Sequence, residues 1–138
     1  MRHAIWNLSV FVLALMVTPP LAAADRTERV QFAKGTSSTV VKGTIKGYDG
    51  VMYMVGAKAG QTMTVSLKTS NGANLFNIWA PGKTPGKDEA LFAGETGGNE
   101  AKVSLPADGD YAVQVYLMRS VARRGTSVKY TLTIAIAP

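Results

Sequence analysis

From Arg29 to Ala137 apolar and polar residues alternate with period two almost without interruption, and Gly, Asn, Asp or Pro closes each run. Successive side chains of an extended chain point to opposite faces, so each run predicts a strand with one buried face. Arg29 to Phe32 gives a short first strand and Thr39 to Lys46 a second, ending at Gly47-Tyr48-Asp49-Gly50. Val51 to Ala57 sets Met52 and Met54 against Val51, Tyr53 and Val55. Thr62 to Thr69 gathers Met63, Val65 and Leu67 on one face. Asn71-Gly72, a pair that tolerates the positive φ of tight hairpins, leads into Asn74 to Ala80, where Phe76 and Trp79 read as core residues. Pro81 to Lys87 is a surface loop, since its prolines and glycines cannot continue a ladder. Ala90 to Ala93, Lys102 to Leu105, Tyr111 to Met118 and Lys129 to Ala137 complete the set, the last with Tyr130, Leu132, Ile134 and Ile136 on one face. Eight or nine strands with turns at short spacing and no ordinary helix predict an all-β fold, an antiparallel sandwich or barrel.

The first 24 residues break this pattern. Arg2 and His3 precede a mostly apolar run of 13 residues from Ile5 to Val17, then Pro19-Pro20 and Ala22-Ala23-Ala24. That arrangement predicts a secretory signal peptide cleaved after Ala24, too short in its apolar part for a stable membrane span. Export leaves one domain, residues 25–138, of 114 residues. No cysteine follows the leader, so neither a lipid anchor on cysteine nor a disulfide is expected, and stability must come from packing and sheet hydrogen bonds. The sequence assigns no oligomeric state.

Without Arg2 the chain holds 14 Lys and Arg against 9 Asp and Glu, net +5, which favours anionic partners. The nine lysines are scattered, about one per strand or turn, as befits solubility and edge protection. The arginines are not. Val113, Val115 and Leu117 share one strand face, and the chain then turns through Arg119, Arg123 and Arg124 before the last strand. Guanidinium groups stay charged and fork to match carboxylates or phosphates, so an anchored cluster of them reads as a recognition device or as a solvated turn.

Several chemistries drop out. The only histidine, His3, leaves with the leader, so the exported chain has neither His nor Cys. Ser-His and Cys-His nucleophiles and the usual zinc ligand sets are therefore excluded, and no cofactor or metal is implied. A pair of carboxylates could still act as acid and base, but the acids fall in predicted turns, and Asp108-Gly109-Asp110 reads as a hairpin rather than half of a calcium loop. No glycine-rich phosphate loop joins a strand to a helix. The chain does not read as an enzyme.

Three segments together resemble the bacterial periplasmic lysozyme inhibitors: FAKGTSSTVVKGTIKGYD (Phe32 to Asp49), AGQTMTVSL (Ala59 to Leu67) and VYLMRSVARRGTSVKYTLTI (Val115 to Ile134). The inhibitors of g-type lysozyme are the nearest type and those of i-type lysozyme a related one, and the KGYD turn and the LMRxxARR segment carry most of the specificity. The resemblance implies a compact β-sandwich and a lysozyme-facing surface formed by Tyr48, Arg119 and Arg123, with Arg124 less involved. In i-type inhibitors a Ser-Gly-x-Tyr turn is implicated in binding. Here that turn is Asp108-Gly109-Asp110-Tyr111, which makes Asp108 and Tyr111 a secondary candidate with a carboxylate where the hydroxyl would be. The implied function is to block the active-site cleft of a lysozyme, g-type before i-type, by setting an arginine beside the acidic group that must donate a proton. Repulsion between a net +5 chain and a basic lysozyme would put the affinity in local insertion rather than steering. The alternative is a noncatalytic β-sandwich module that binds glycans or anionic cell-envelope polymers. Nucleic acid is not an expected partner, since no aromatic-basic stripe is present.

Overall fold

The computed structural model describes residues 25–138; the predicted leader lies outside the described residues. Nine strands form two sheets: β1 (Arg26–Arg29), β2 (Ser38–Lys46), β3 (Val51–Ala57), β4 (Thr62–Thr69), β5 (Asn74–Trp79), β6 (Phe92–Ala93), β7 (Glu100–Ser104), β8 (Gly109–Leu117) and β9 (Ser127–Ala137). One sheet has the order β1-β3-β8-β5-β6 and the other β2-β9-β4-β7. Every pairing is antiparallel except β1 with β3, which is parallel.

Period-two alternation builds the interior. Val51, Tyr53, Val55, Phe76, Ile78, Val113 and Val115 face inward from the five-stranded sheet and meet Met63, Val65, Leu132 and Ile134 from the other. Removing each such side chain from water contributes about 1.5–3 kcal/mol, offset by the entropy of ordering the chain. Tyr53 and Tyr130 cross between the sheets, their hydroxyls hydrogen-bonded at 2.6 Å. Gly43 lies opposite Tyr130 in the β2–β9 ladder, and a Cβ there would run into the Tyr130 hydroxyl. Burial pushes both tyrosine hydroxyls above the usual phenol range, so they stay neutral.

Three details depart from the sequence expectation. The first strand lies earlier than Arg29 to Phe32, because the charged stretch Arg26–Arg29 takes the exposed sheet edge while Val30 and Phe32 plug the core beyond it. Trp79 is buried, but outside the inter-sheet core: it lies on the outer face of the five-stranded sheet. Two single helical turns interrupt the strands, α1 (Gly94–Gly97) and α2 (Arg119–Ala122).

The placement of α2 matters most. It joins β8, central in one sheet, to β9, central in the other, at one end of the sandwich. Both flanking strands are bonded on both sides, so the arginine turn hangs from two strands held within their sheets rather than from an edge.

Candidate functional site

The β2–β9 ladder runs through to the pair Lys46 and Ser127. One step further, the Gly47 N–H donates to the Thr126 carbonyl at 2.9 Å. Gly47 has φ +59°, and a Cβ on it would lie 3.4 Å from the Ala122 carbonyl oxygen and 3.7 Å from the Gly125 Cα. The Gly47-Tyr48-Asp49-Gly50 turn therefore lies against the last residues of the arginine turn. Glycine suits the position for two reasons: it adopts positive φ without strain and leaves room for that backbone. The ring of Tyr48, 54% exposed, is left beside α2.

Tyr48 and Arg119 line one concavity of about 590 Å³ on the outer face of the five-stranded sheet. Its floor is made by Asn77 and Trp79 of β5 and by Gln114 and Tyr116 of β8, and Asp25 and Glu95 stand at its rim. A chain of hydrogen bonds fixes this floor. Trp79 Nε1 donates to Gln114 Oε1 at 3.0 Å, and Gln114 Nε2 donates to Asp25 Oδ2 at 3.1 Å. The Tyr116 hydroxyl donates to Asn77 Oδ1 at 3.2 Å, and the same oxygen accepts from the Gly94 N–H at 3.0 Å. Burial, and after it the negative charge of Glu95, push the Tyr116 hydroxyl up, so it remains a donor at neutral pH. A size of this order suits an inserted side chain or a small ligand.

Arg119 opens α2, and Arg123 follows it by one helical turn, its N–H bonded to the Arg119 carbonyl at 3.0 Å. Residues four apart on a helix share a side, whereas Arg124 lies beyond the helical turn, its N–H bonded to the Val121 carbonyl at 3.1 Å. The turn is tied down by the Met118 N–H on the Ala73 carbonyl and by burial of Ala122. Arg119 lines the concavity; Arg123 is exposed on the same turn but is not among the lining residues. The described residues form two ion pairs, Arg26 with Glu28 and Arg29 with Asp110, and neither involves the arginines of this turn. Among the described residues, then, no carboxylate lies within 4 Å of the Arg119 guanidinium nitrogens.

Asp108 and Tyr111 lie at the other end of the sandwich. In the β3–β8 ladder Val51 pairs with Val115 near Tyr48, and Ala57 pairs with Gly109 at the opposite end. Tyr111 is fully buried, its hydroxyl donating to the Ala107 carbonyl at 2.6 Å and accepting from the Ala107 N–H at 3.1 Å. Asp108 Oδ1 accepts from the Ala59 N–H at 2.8 Å. Both side chains hold the loop that carries them.

Asn77, Gln114, Tyr116, Asp25 and Glu95 went unnoticed in the sequence. For three of them a signal was present: Asn77 in β5 and Gln114 and Tyr116 in β8 put polar atoms on the outer face of otherwise apolar strands. The described residues hold no cluster of three or more His, Cys, Asp or Glu suited to a metal, and none of their helices is long and apolar enough to cross a membrane.

The chain is 35% identical over 128 residues to the inhibitor of g-type lysozyme of Escherichia coli K12, an alignment covering 93% of each chain. The periplasmic inhibitor of g-type lysozyme from Aeromonas hydrophila superposes with a TM-score of 0.75 at 48% identity, covering 82% of this chain and 99% of that one. Its counterpart from Salmonella Typhimurium gives a TM-score of 0.64 at 32% identity, over 80% and 97%. No protein-family model matches the chain.

Proposed function

This chain belongs to the family of periplasmic inhibitors of g-type lysozyme, and we propose that it acts by setting Arg119 and Tyr48 together into the active-site cleft of such an enzyme. It is a noncatalytic periplasmic protein, exported by a leader that is cleaved after Ala24. The observation that carries the binding mode is the shared concavity: Tyr48 from the β2–β3 turn and Arg119 from the β8–β9 connection line one surface.

The chemistry follows from what each group can do. Glycoside cleavage requires a carboxylic acid that still holds its proton and can give it to the leaving oxygen. A guanidinium within hydrogen-bond distance favours the ionised carboxylate, so the acid loses the proton it must donate. The arginine stem and the Tyr48 ring also occupy space that a sugar would need. Tyr and Arg are the residue types most often found to dominate interfaces, because both bury large areas and retain a polar tip. Arg123, one turn on, supports the same face from its edge, and Arg124 contributes less. Glu95 at the rim gives a basic lysozyme a local negative point despite the chain's net positive charge, whereas Asp25, first residue of the exported chain, carries an α-ammonium beside its carboxylate.

Selectivity for g-type over i-type lysozyme is supported by the far end of the molecule. The turn that corresponds to the i-type binding loop has its tyrosine buried and its Asp108 bonded to backbone. A lytic assay of the exported protein against c-, g- and i-type lysozymes in parallel tests the reading. Inhibition of the g-type enzyme is expected; inhibition of the i-type enzyme alone would contradict it.

A further inference from the structure

The lysines that look scattered in the sequence converge in the fold. In the four-stranded sheet, residues of even number on β2, β4 and β7 and of odd number on β9 face outward, since their neighbours fill the core. That parity places Lys42 and Lys46 of β2, Lys68 of β4, Lys102 of β7 and Lys129 of β9 on one face, five of the nine lysines. Lys42 and Lys68 flank Thr131 from either side, and Lys129 pairs with Thr44 two residues along β9. Strand spacing and rise put these three Cα atoms roughly 8 to 10 Å apart. They border a shallow basin of about 600 Å³ whose other lining includes Thr44, Ser70 and Thr131, with no carboxylate among its residues. On the outward face of these strands the one acid is Glu100, on the edge strand β7.

We propose that this face docks on an anionic lipid headgroup layer, with Lys42, Lys68 and Lys129 at the centre of the contact. Charge complementarity chooses the occupant, and the composition of the face narrows it. Its strands present no arginine outward, so no rigid fork selects single bidentate anions. They present no aromatic ring either, so neither sugars nor bases find a stacking platform. What remains is a flat array of ammonium point charges separated by hydroxyls that can donate to phosphate oxygens, which fits a flat layer of phosphates rather than a shaped ligand. Apart from the half-exposed Val40, little is available for insertion, so the association is electrostatic and salt-reversible. The Tyr48–Arg119 concavity lies on the opposite sheet of the sandwich and would point away from the lipid, free to meet a soluble enzyme. The docking face is independent of the inhibitory reading.

Co-sedimentation of the exported protein with vesicles of phosphatidylglycerol and phosphatidylcholine, against phosphatidylcholine alone, tests the proposal. Binding to the anionic vesicles only is expected, and it should vanish near 1 M salt, where the screening length falls to about 3 Å. Replacing Lys42, Lys68 and Lys129 together by Gln should weaken partitioning on the order of a hundredfold, with lysozyme inhibition and the unfolding temperature retained. A second triple, Lys58→Gln, Lys83→Gln and Lys87→Gln, removes the same charge from other surfaces and should lose far less. Arg119→Ala should bind vesicles like the parent. Equal binding to neutral vesicles, equal losses in the two triples, or firmer retention on soluble duplex DNA than on anionic vesicles would overturn the proposal.

Discussion

The two ends of the sandwich each carry a tyrosine beside charged residues in a turn, and they use them in opposite ways. At one end Tyr48 is more than half exposed and stands with Arg119, which has no described ion-pair partner. At the other, some 20 Å away along the seven residues of β3, Tyr111 is fully buried and bonded to Ala107, and Asp108 is bonded to Ala59. The difference lies in where the hydrogen-bonding capacity goes. The far loop directs these groups at its own backbone, much as a corner tyrosine closes other sandwiches. The near turn is fixed by backbone bonds and a buried alanine instead, which leaves its side chains free for a partner. Similar residue types thus give a structural end and a candidate recognition end.

The comparison can be broken from either side. The largest effect belongs to Tyr111→Ala, which removes a fully buried aromatic ring and should cost about 3–5 kcal/mol of stability in urea unfolding. Inhibition per folded molecule should be unchanged; a lost inhibition constant in folded protein would put Tyr111 in the interface. Arg119→Ala should do the converse, weakening inhibition by about 1–4 kcal/mol and leaving stability within about 0.5 kcal/mol. Arg123→Ala, outside the concavity, should fall at the low end of the same range. Asp108→Ala should cost about 1 kcal/mol of stability through the bond from the Ala59 N–H, and titration against lysozyme should not distinguish it from the parent.

Both ends depend on the core between them, and pH separates core from site. Tyr53 and Tyr130 have folded pKa values above their unfolded ones, chiefly through burial. The folded state therefore holds protons that the unfolded state releases above about pH 10. Their contribution is fully present below that pH and is lost as pH rises beyond it. Chemical unfolding followed from neutral to alkaline pH should show this fall, and it should be shallower in Tyr130→Phe, which has one fewer hydroxyl to titrate.

Much of this was legible in the chain itself. Alternation placed β3, β4 and the inward face of β9 where the fold has them, because a strand buried on one side must keep period two. The edges were less legible. Arg26–Arg29 pairs at an exposed margin where charged residues are tolerated, so apolar periodicity pointed past it to Val30 and Phe32. The arginine turn read from its residues as either a recognition device or a solvated turn, and only family resemblance made Tyr48 and Arg119 candidates for one surface. Their meeting depends on the β2–β9 register, which no local pattern encodes. The floor of the concavity was half legible: Asn77 and Gln114 break the apolar pattern of their strands, but that they face each other across β5 and β8, 37 residues apart in sequence, is not a local signal.

The central claim is that Tyr48 and Arg119 act as one anchor, and a double-mutant cycle tests it most directly. Inhibition constants against a g-type lysozyme would be measured for the parent, Tyr48→Ala, Arg119→Ala and the double variant, with folding checked for each. Neighbouring residues that share a partner should couple by about 0.5 kcal/mol or more, so each single change should weaken inhibition and the double should fall short of their sum. Unaltered inhibition in either single variant, or effects that simply add, would contradict the claim.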